Sequence, residues 1–226
     1  MNLSRRNLLS LGGAAALTTT PLPTSAEEPL SRWMGCRQAG EDHYATLFDA
    51  TGKVLLDKLL PGRGHDVVPS PDGQSVVVMA RRPDTFALVI DLPSGNTRHQ
   101  FAASAGHHFY GHGCFSPDGD WFYTTENHYK SGDGVVGIRN VRRDYKLEGH
   151  FSSGGIGPHE VLVMADGETL AIANGGIQTH PDTGRTKLNL DTMIPSLTLV
   201  DRTTGRLDAI HTLDAKHHQL SIRHLA

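Results

Sequence analysis

Histidine is the residue to start from, because this chain of 226 residues carries 14 of them. Three stand at the head of similar segments: His65 in "GHDVVPSPDGQSVVVMARR" from Gly64, His112 in "GHGCFSPDGDWFYTTEN" from Gly111, and His159 in "GPHEVLVMADGETLAIANGG" from Gly157. A fourth segment, "HHQLSIRHLA", offers His217 or His218 at its head. Neutral imidazole is a ligand for Fe, Cu or Zn, so imidazoles delivered from several repeats to one place make a metal site. The expected ligand set is His65, His112, His159 and His218, with Glu160 beside His159 supplying a carboxylate. The alternative is that each imidazole hydrogen-bonds a neighbouring repeat. The register is uneven: His65 and His159 lie seven residues before the Asp of the turn that follows, His112 only six, so one of them is expected to point the other way.

"GGIGPHEVLV", Gly154 to Val163, is the most specific stretch. A glycine-rich loop and Pro158 present His159 and Glu160 together, as ligands or as a base beside an acid. The same residues would serve as a tight lead-in to an inner strand. A phosphate cradle is excluded, because the Gly-Lys-Ser/Thr ending and the following helix are missing. Two loops add candidates. "TTENHYKSGDGVVG" from Thr124 holds Glu126 and His128. "NGGIQTHPDTGRTKLNLDTMIPSL", Asn174 to Leu197, is about ten residues longer than its counterparts and holds His180, Arg185 and Lys187, the last two suited to an anionic group. A solvated loop held by its own Asp and Thr turns reads the same way. No nucleophile motif, triad or four-ligand zinc spacing is legible.

These residues must be positioned by the elements around them, and the elements repeat. Asp72-Gly73, Asp118-Gly119 and Asp166-Gly167 are turns 46 and 48 residues apart, each followed by a strand-like run: "SVVVMA", "WFYTTE", "TLAIAN". The second half of each unit repeats as well: "FALVIDLPSGNTRHQF", "VVGIRNVRRDYKLEGHF" and "SLTLVDRTTGRLDAIHTL" each give strand, polar turn, strand. "HYATLFDATGKVLLDKLL" from His43 has the same form ahead of the first full unit. Four strands per period of roughly 40 to 50 residues mark a β-propeller blade, whose first strand is innermost. The expected fold is all-β, an incomplete propeller of three to four blades; a closed ring of six or seven needs roughly 280 to 330 residues. The alternative is a β-sandwich with similar hairpins.

Composition narrows the function. A formal charge of -3 with 20% charged residues leaves no basic footprint for nucleic acid. Residues 1–26 resemble a twin-arginine signal peptide: Arg5-Arg6, an apolar run from Leu8 to Leu17 and small residues at Thr24-Ser25-Ala26, which implies a periplasmic protein with no membrane span in the mature chain of residues 27–226. Cys36 and Cys114 are the only cysteines, open to pairing or to a life as buried thiols.

The run "GIGPHEVLVMADGETLAIANGGIQTHPDTGRTKLNLDTMIPSL", with "GHGCFSPDG", "TTEN", "GVVGI" and "HQLSIRHLA", resembles the bacterial exported proteins of domain-of-unknown-function family 1513 from Trp33 to Ala226. The resemblance implies a propeller akin to the YVTN-repeat and quinoprotein-amine-dehydrogenase β-chain type, encoded near imelysin-like iron-uptake proteins. It also implies further blades beyond those seen here. The expected function is therefore a periplasmic binding or scaffold protein, metal-binding and tied to iron uptake. The alternatives are a quinoprotein-like oxidoreductase, a metal-dependent lactonase-type hydrolase, or a truncated fragment without function.

Overall fold

A computed structural model describes residues 31–82, 84–184 and 186–225. The signal-like segment 1–26 lies outside the described residues. Four antiparallel sheets follow one another along the chain. The first has three strands, β1 (Arg32–Ala39), β2 (Asp42–Asp49) and β3 (Val54–Leu60). The second runs β4 (Gly64–Pro69), β5 (Ser75–Ala80), β6 (Phe86–Asp91), β7 (Thr97–Ala102). The third runs β8 (His107–Phe115), β9 (Trp121–His128), β10 (Gly134–Asn140), β11 (Lys146–Ser152). The fourth runs β12 (Pro158–Val163), β13 (Thr169–Asn174), β14 (Ser196–Asp201), β15 (Leu207–Thr212). Each sheet is a meander, and the neighbouring sheets touch through their first strands, β4, β8 and β12. This is the all-β, propeller-type architecture expected from the repeats. Among the described residues no helix is long and apolar enough to cross a membrane.

The turns close as their chemistry dictates. In Ser70-Pro71-Asp72-Gly73 the Gly73 amide donates to Ser70 O at 2.9 Å, the Asp72 carboxylate accepts from Gln74 N at 3.0 Å and from the Ser70 hydroxyl, and Gly73 takes a φ of 67°. Ser116 to Gly119 repeats the pattern, and Asp166-Gly167 repeats all but the serine. Only glycine adopts that φ without strain, so each Asp-Gly pair ends one strand and launches the next.

Position within a sheet decides how a strand is buried. The second strand β5, "SVVVMA", is buried at every residue, and β6 and β13 nearly so. Val76, Val78 and Ala80 face the first sheet with Ala45 and Leu60, whereas Val77 and Met79 face the third with Phe101, Phe109 and Phe122. Alternate side chains of one strand thus feed two cores, which is why the run is apolar without alternation. The outermost strand β11 alternates exposed and half-buried instead, because one face meets solvent.

A charge pair is buried in this packing. Glu126 on β9 is fully buried; its Oε1 accepts from Arg139 Nη2 at 3.0 Å and from Thr124 Oγ1 at 2.7 Å, and Oε2 lies 3.4 Å from His150 Nε2. Arg139 in turn donates to Ala102 O at 3.0 Å and lies over the Phe101 ring. Burial pushes the Glu126 carboxyl up, but the His150 hydrogen bond and the Arg139 charge outweigh it and hold the group below the usual range. Removing one member leaves the other charged and unmatched in the core, so Glu126→Gln is expected to cost about 3 to 5 kcal/mol in urea unfolding. A folded-state carboxyl held low stabilises at pH above its ordinary value of 4.5 and loses that contribution as pH falls through the folded value. The acid limb below about pH 4.5 is therefore expected to be steeper in the parent than in the Glu126→Gln protein.

Candidate functional site

All three hub strands carry their histidine at a break in pairing. The β4–β5 register shifts between Gly64 and Asp66, with His65 as the extra residue. The β12–β13 register shifts between Pro158 and Glu160, with His159 as the extra residue. The β8–β9 register is irregular between Phe109 and Gly113, a stretch that contains His112. A bulge re-aims one side chain without altering the strand on either side. The six-versus-seven register difference is therefore absorbed locally, and His112 turns toward the other two rather than away.

The three rings converge. Centroids are 4.7 Å apart for His65 and His112, 4.8 Å for His112 and His159, and 5.8 Å for His65 and His159. One ring nitrogen from each lies within 4.8 Å of the others. A tetrahedral metal with bonds of about 2.0–2.1 Å brings nitrogens to roughly 3.3 Å of one another, so these nitrogens would have to close by up to about 1.5 Å around one.

The nitrogens have the surroundings that a metal ligand would need. The Asp66 carboxylate accepts a hydrogen bond from His112 Nδ1 at 3.1 Å, which leaves the lone pair on Nε2. His112 Nε2 and His159 Nδ1 are both buried with no hydrogen-bond partner among the described residues. Burial, then His112 and Arg81, pulls His65 down to about 4; burial, then His112 and His224, pulls His159 down to about 3. Both imidazoles are neutral at pH 7, the form that ligates a metal.

The remaining sequence-derived candidates are dispersed. Glu160 is not one of the three converging groups: its Oε2 accepts from Leu225 N at 2.6 Å and lies 3.5 Å from His224 Nδ1. His218 sits in the turn built on Ala215–His217, its Nδ1 2.8 Å from Ala215 O, and does not join the three imidazoles. His217 lies in the same turn. Glu126, expected in a loop, is instead in the interior of β9 as the partner of Arg139. His128 ends that strand with Nδ1 2.8 Å from Ser131 Oγ. His180 accepts from Asp182 N at 3.2 Å and lies 6.0 Å from the Tyr129 ring, so the two loops do meet. Lys187 is exposed, and Arg185 lies outside the described residues. Cys36 and Cys114 are both free thiols, pushed up by burial to about 11 and about 12, and neither is available as a thiolate near neutrality.

Sequence reasoning missed His224. Its ring lies 4.9 Å from His159 and 5.4 Å from His112, the place expected for His218. The turn at Ala215–His217 consumes the residues that the earlier repeats spend in a straight lead-in, and the conspicuous His-His pair hid the next histidine six residues on. Arg81, Arg82 and Arg223 were also missed; with His65, His159 and Tyr110 they line a cleft of about 150 Å³ beside the cluster.

Gly111 shows how closely the site is fitted. Its φ is 112°, and a Cβ there would lie 2.9 Å from Cγ of His65 and closer still to Cδ2. Gly111→Ala is expected to displace the His65 ring and to lower stability by about 1 to 3 kcal/mol through backbone strain and overlap. A thermal melt measures it, and a melting temperature equal to that of the parent would contradict the placement of His65.

The comparisons agree with the fold. Hydrazine synthase of Kuenenia stuttgartiensis is similar in structure, with a TM-score of 0.60 at 17% identity over 88% of this chain and 53% of that chain. The likeness is one of fold, and this chain spans about half the length of that protein. No curated protein matches the sequence. The family described as protein of unknown function DUF1513 matches residues 58–226. That span takes in all three histidine-bearing hub strands, and the chain belongs to the DUF1513 family.

Proposed function

We propose that this protein is an exported, periplasmic binding protein that holds one transition ion, Fe, Cu or Zn, at the mouth of the propeller hub. The observation that carries the reading is the convergence of His65, His112 and His159 from three different blades, with two buried ring nitrogens unpartnered. Imidazoles that only stitched blades together would satisfy those nitrogens, since each buried polar atom without a partner costs about 1 to 3 kcal/mol. The Asp66–His112 contact has the form of the outer partner that fixes a ligand's tautomer.

Export rests on the twin-arginine-like segment in residues 1–26. Kinship with YVTN and quinoprotein-amine-dehydrogenase propellers, and a place beside imelysin-type iron-uptake proteins, rest on the sequence resemblance. A second reading, metal-dependent hydrolysis, has one observation in its favour: three histidine ligands would leave a metal with a free position, and His65 and His159 line a cleft.

Zinc titration followed by calorimetry tests the binding reading. One ion per chain is expected, with affinity reduced about 100-fold or more in His112→Ala and in His159→Ala, and unchanged in His218→Ala. A parent protein that binds no zinc, or loses none of it in the His112 and His159 variants, would remove the metal.

A further inference from the structure

The two carboxylates beside the hub histidines follow one rule. Asp66 stands directly after His65, and Glu160 directly after His159. Asp66 reaches the next histidine along the hub, accepting from His112 Nδ1 at 3.1 Å. Glu160 stands in the same relation to His224, its Oε2 lying 3.5 Å from Nδ1 of that ring. Gly113 follows His112 and has no carboxylate to offer, and the next histidine, His159, has its Nδ1 buried without a hydrogen-bond partner.

The segment that carries His224 is fixed against the fourth sheet. Glu160 Oε2 also accepts from Leu225 N at 2.6 Å, across 65 residues of chain. A Cβ on Gly175, just past β13, would meet Ser221 Oγ at 2.6 Å and Ile222 O at 3.4 Å, so this glycine makes room for the segment. Imidazoles that share a tetrahedral metal with bonds of about 2.0–2.1 Å have ring centres roughly 5 Å apart. The ring pairs in contact among His65, His112, His159 and His224 run from 4.7 to 5.8 Å. His224 is not among the three nitrogens already within 4.8 Å of one another, but its side chain is 65% exposed and has room to turn inward.

We propose that His224 is the fourth ligand of the metal on His65, His112 and His159, with Glu160 as the positioning carboxylate that holds its Nδ1–H and leaves Nε2 for the ion. The proposal rests on the metal reading given above. Glu160 then serves His224 as Asp66 serves His112: a carboxylate on one ring nitrogen fixes the tautomer and the ring orientation and makes the other nitrogen a better donor. Four imidazoles close a tetrahedral shell, the form of a site that holds an ion, whereas an open position is the form of one that activates a bound water. The fourth ligand therefore favours binding over hydrolysis.

Cobalt(II) tests this, because its visible absorption reports both loading and a change of ligand. The full chain is loaded with cobalt and titrated with azide, as the parent, as His224→Ala and as Glu160→Gln. Expected is a parent spectrum that azide leaves unchanged. The His224→Ala protein is expected to bind cobalt at least about tenfold more weakly, to respond saturably to azide, and to recover the parent spectrum with free imidazole. Glu160→Gln is expected to weaken cobalt about tenfold on its own and by no more than about twofold in the His224→Ala background, a dependence that a merely structural glutamate would not show. His224 is exposed, so its variant keeps the test intact if Glu160→Gln fails to fold. A parent that responds to azide as His224→Ala does, or a His224→Ala protein with the affinity and spectrum of the parent, overturns the fourth ligand and leaves the three-histidine reading standing. Equal loss from Glu160→Gln in both backgrounds overturns the positioning role. If no cobalt spectrum forms in the parent, the metal reading itself fails and the proposal fails with it.

Discussion

Strands β5 and β6 are buried on both faces, and β9 and β13 nearly so, which makes such a sheet stable only with packing against each face. That constraint stacks the blades and brings β4, β8 and β12 side by side at the hub. Burying a Val or Ile side chain contributes about 1.5 to 3 kcal/mol, and β5 alone offers Val76, Val77 and Val78 at 3% exposure or less. A framework held by so many such residues tolerates a local irregularity at its inner edge. The bulges at His65, near His112 and at His159 are such irregularities.

The histidine cluster is a consequence of that geometry. A regular strand would place successive side chains on opposite blade faces, into the apolar cores. The break in pairing in each hub strand lets the three imidazoles turn toward one another instead. Convergence has a cost, since rings at 4.7 to 5.8 Å desolvate one another and depress the affinity of His65 and His159 for protons. The proposed cation, shared by the three nitrogens, would offset that cost. Glu126 and Arg139 solve the opposite problem within the third blade, where a buried charge pair is satisfied by its own hydrogen bonds and by His150. One buried polar group closes on itself, whereas the imidazole group at the hub faces a cleft.

The blade pattern was legible in the sequence because its determinants are local. Asp-Gly turns, apolar middle strands and alternating outer strands each act within a few residues, and the period follows from counting turns. His65, His112 and His159 were legible as heads of repeats for the same reason. Glu126 was not legible as a core residue, because its partner Arg139 lies across a strand pair and only pairing register brings the two together. His224 escaped because one turn of chain at Ala215–His217 shifts the repeat, and turn conformation is not fixed by residue type at "DAKHH". The arginine wall was invisible for a further reason: Arg81 and Arg82 follow a β5 strand while Arg223 lies more than a hundred residues later, and only the stacking of blades joins them.

The most direct test of the account is crystallographic. Crystals of the protein soaked in zinc and measured above and below the zinc absorption edge give an anomalous difference map that locates the ion without reference to the chain. The account requires a single strong peak at bonding distance, about 2.0–2.1 Å, from one nitrogen each of His65, His112 and His159. A peak placed instead on the surface histidines His107, His128 and His150, or no peak in well-ordered crystals, would contradict it.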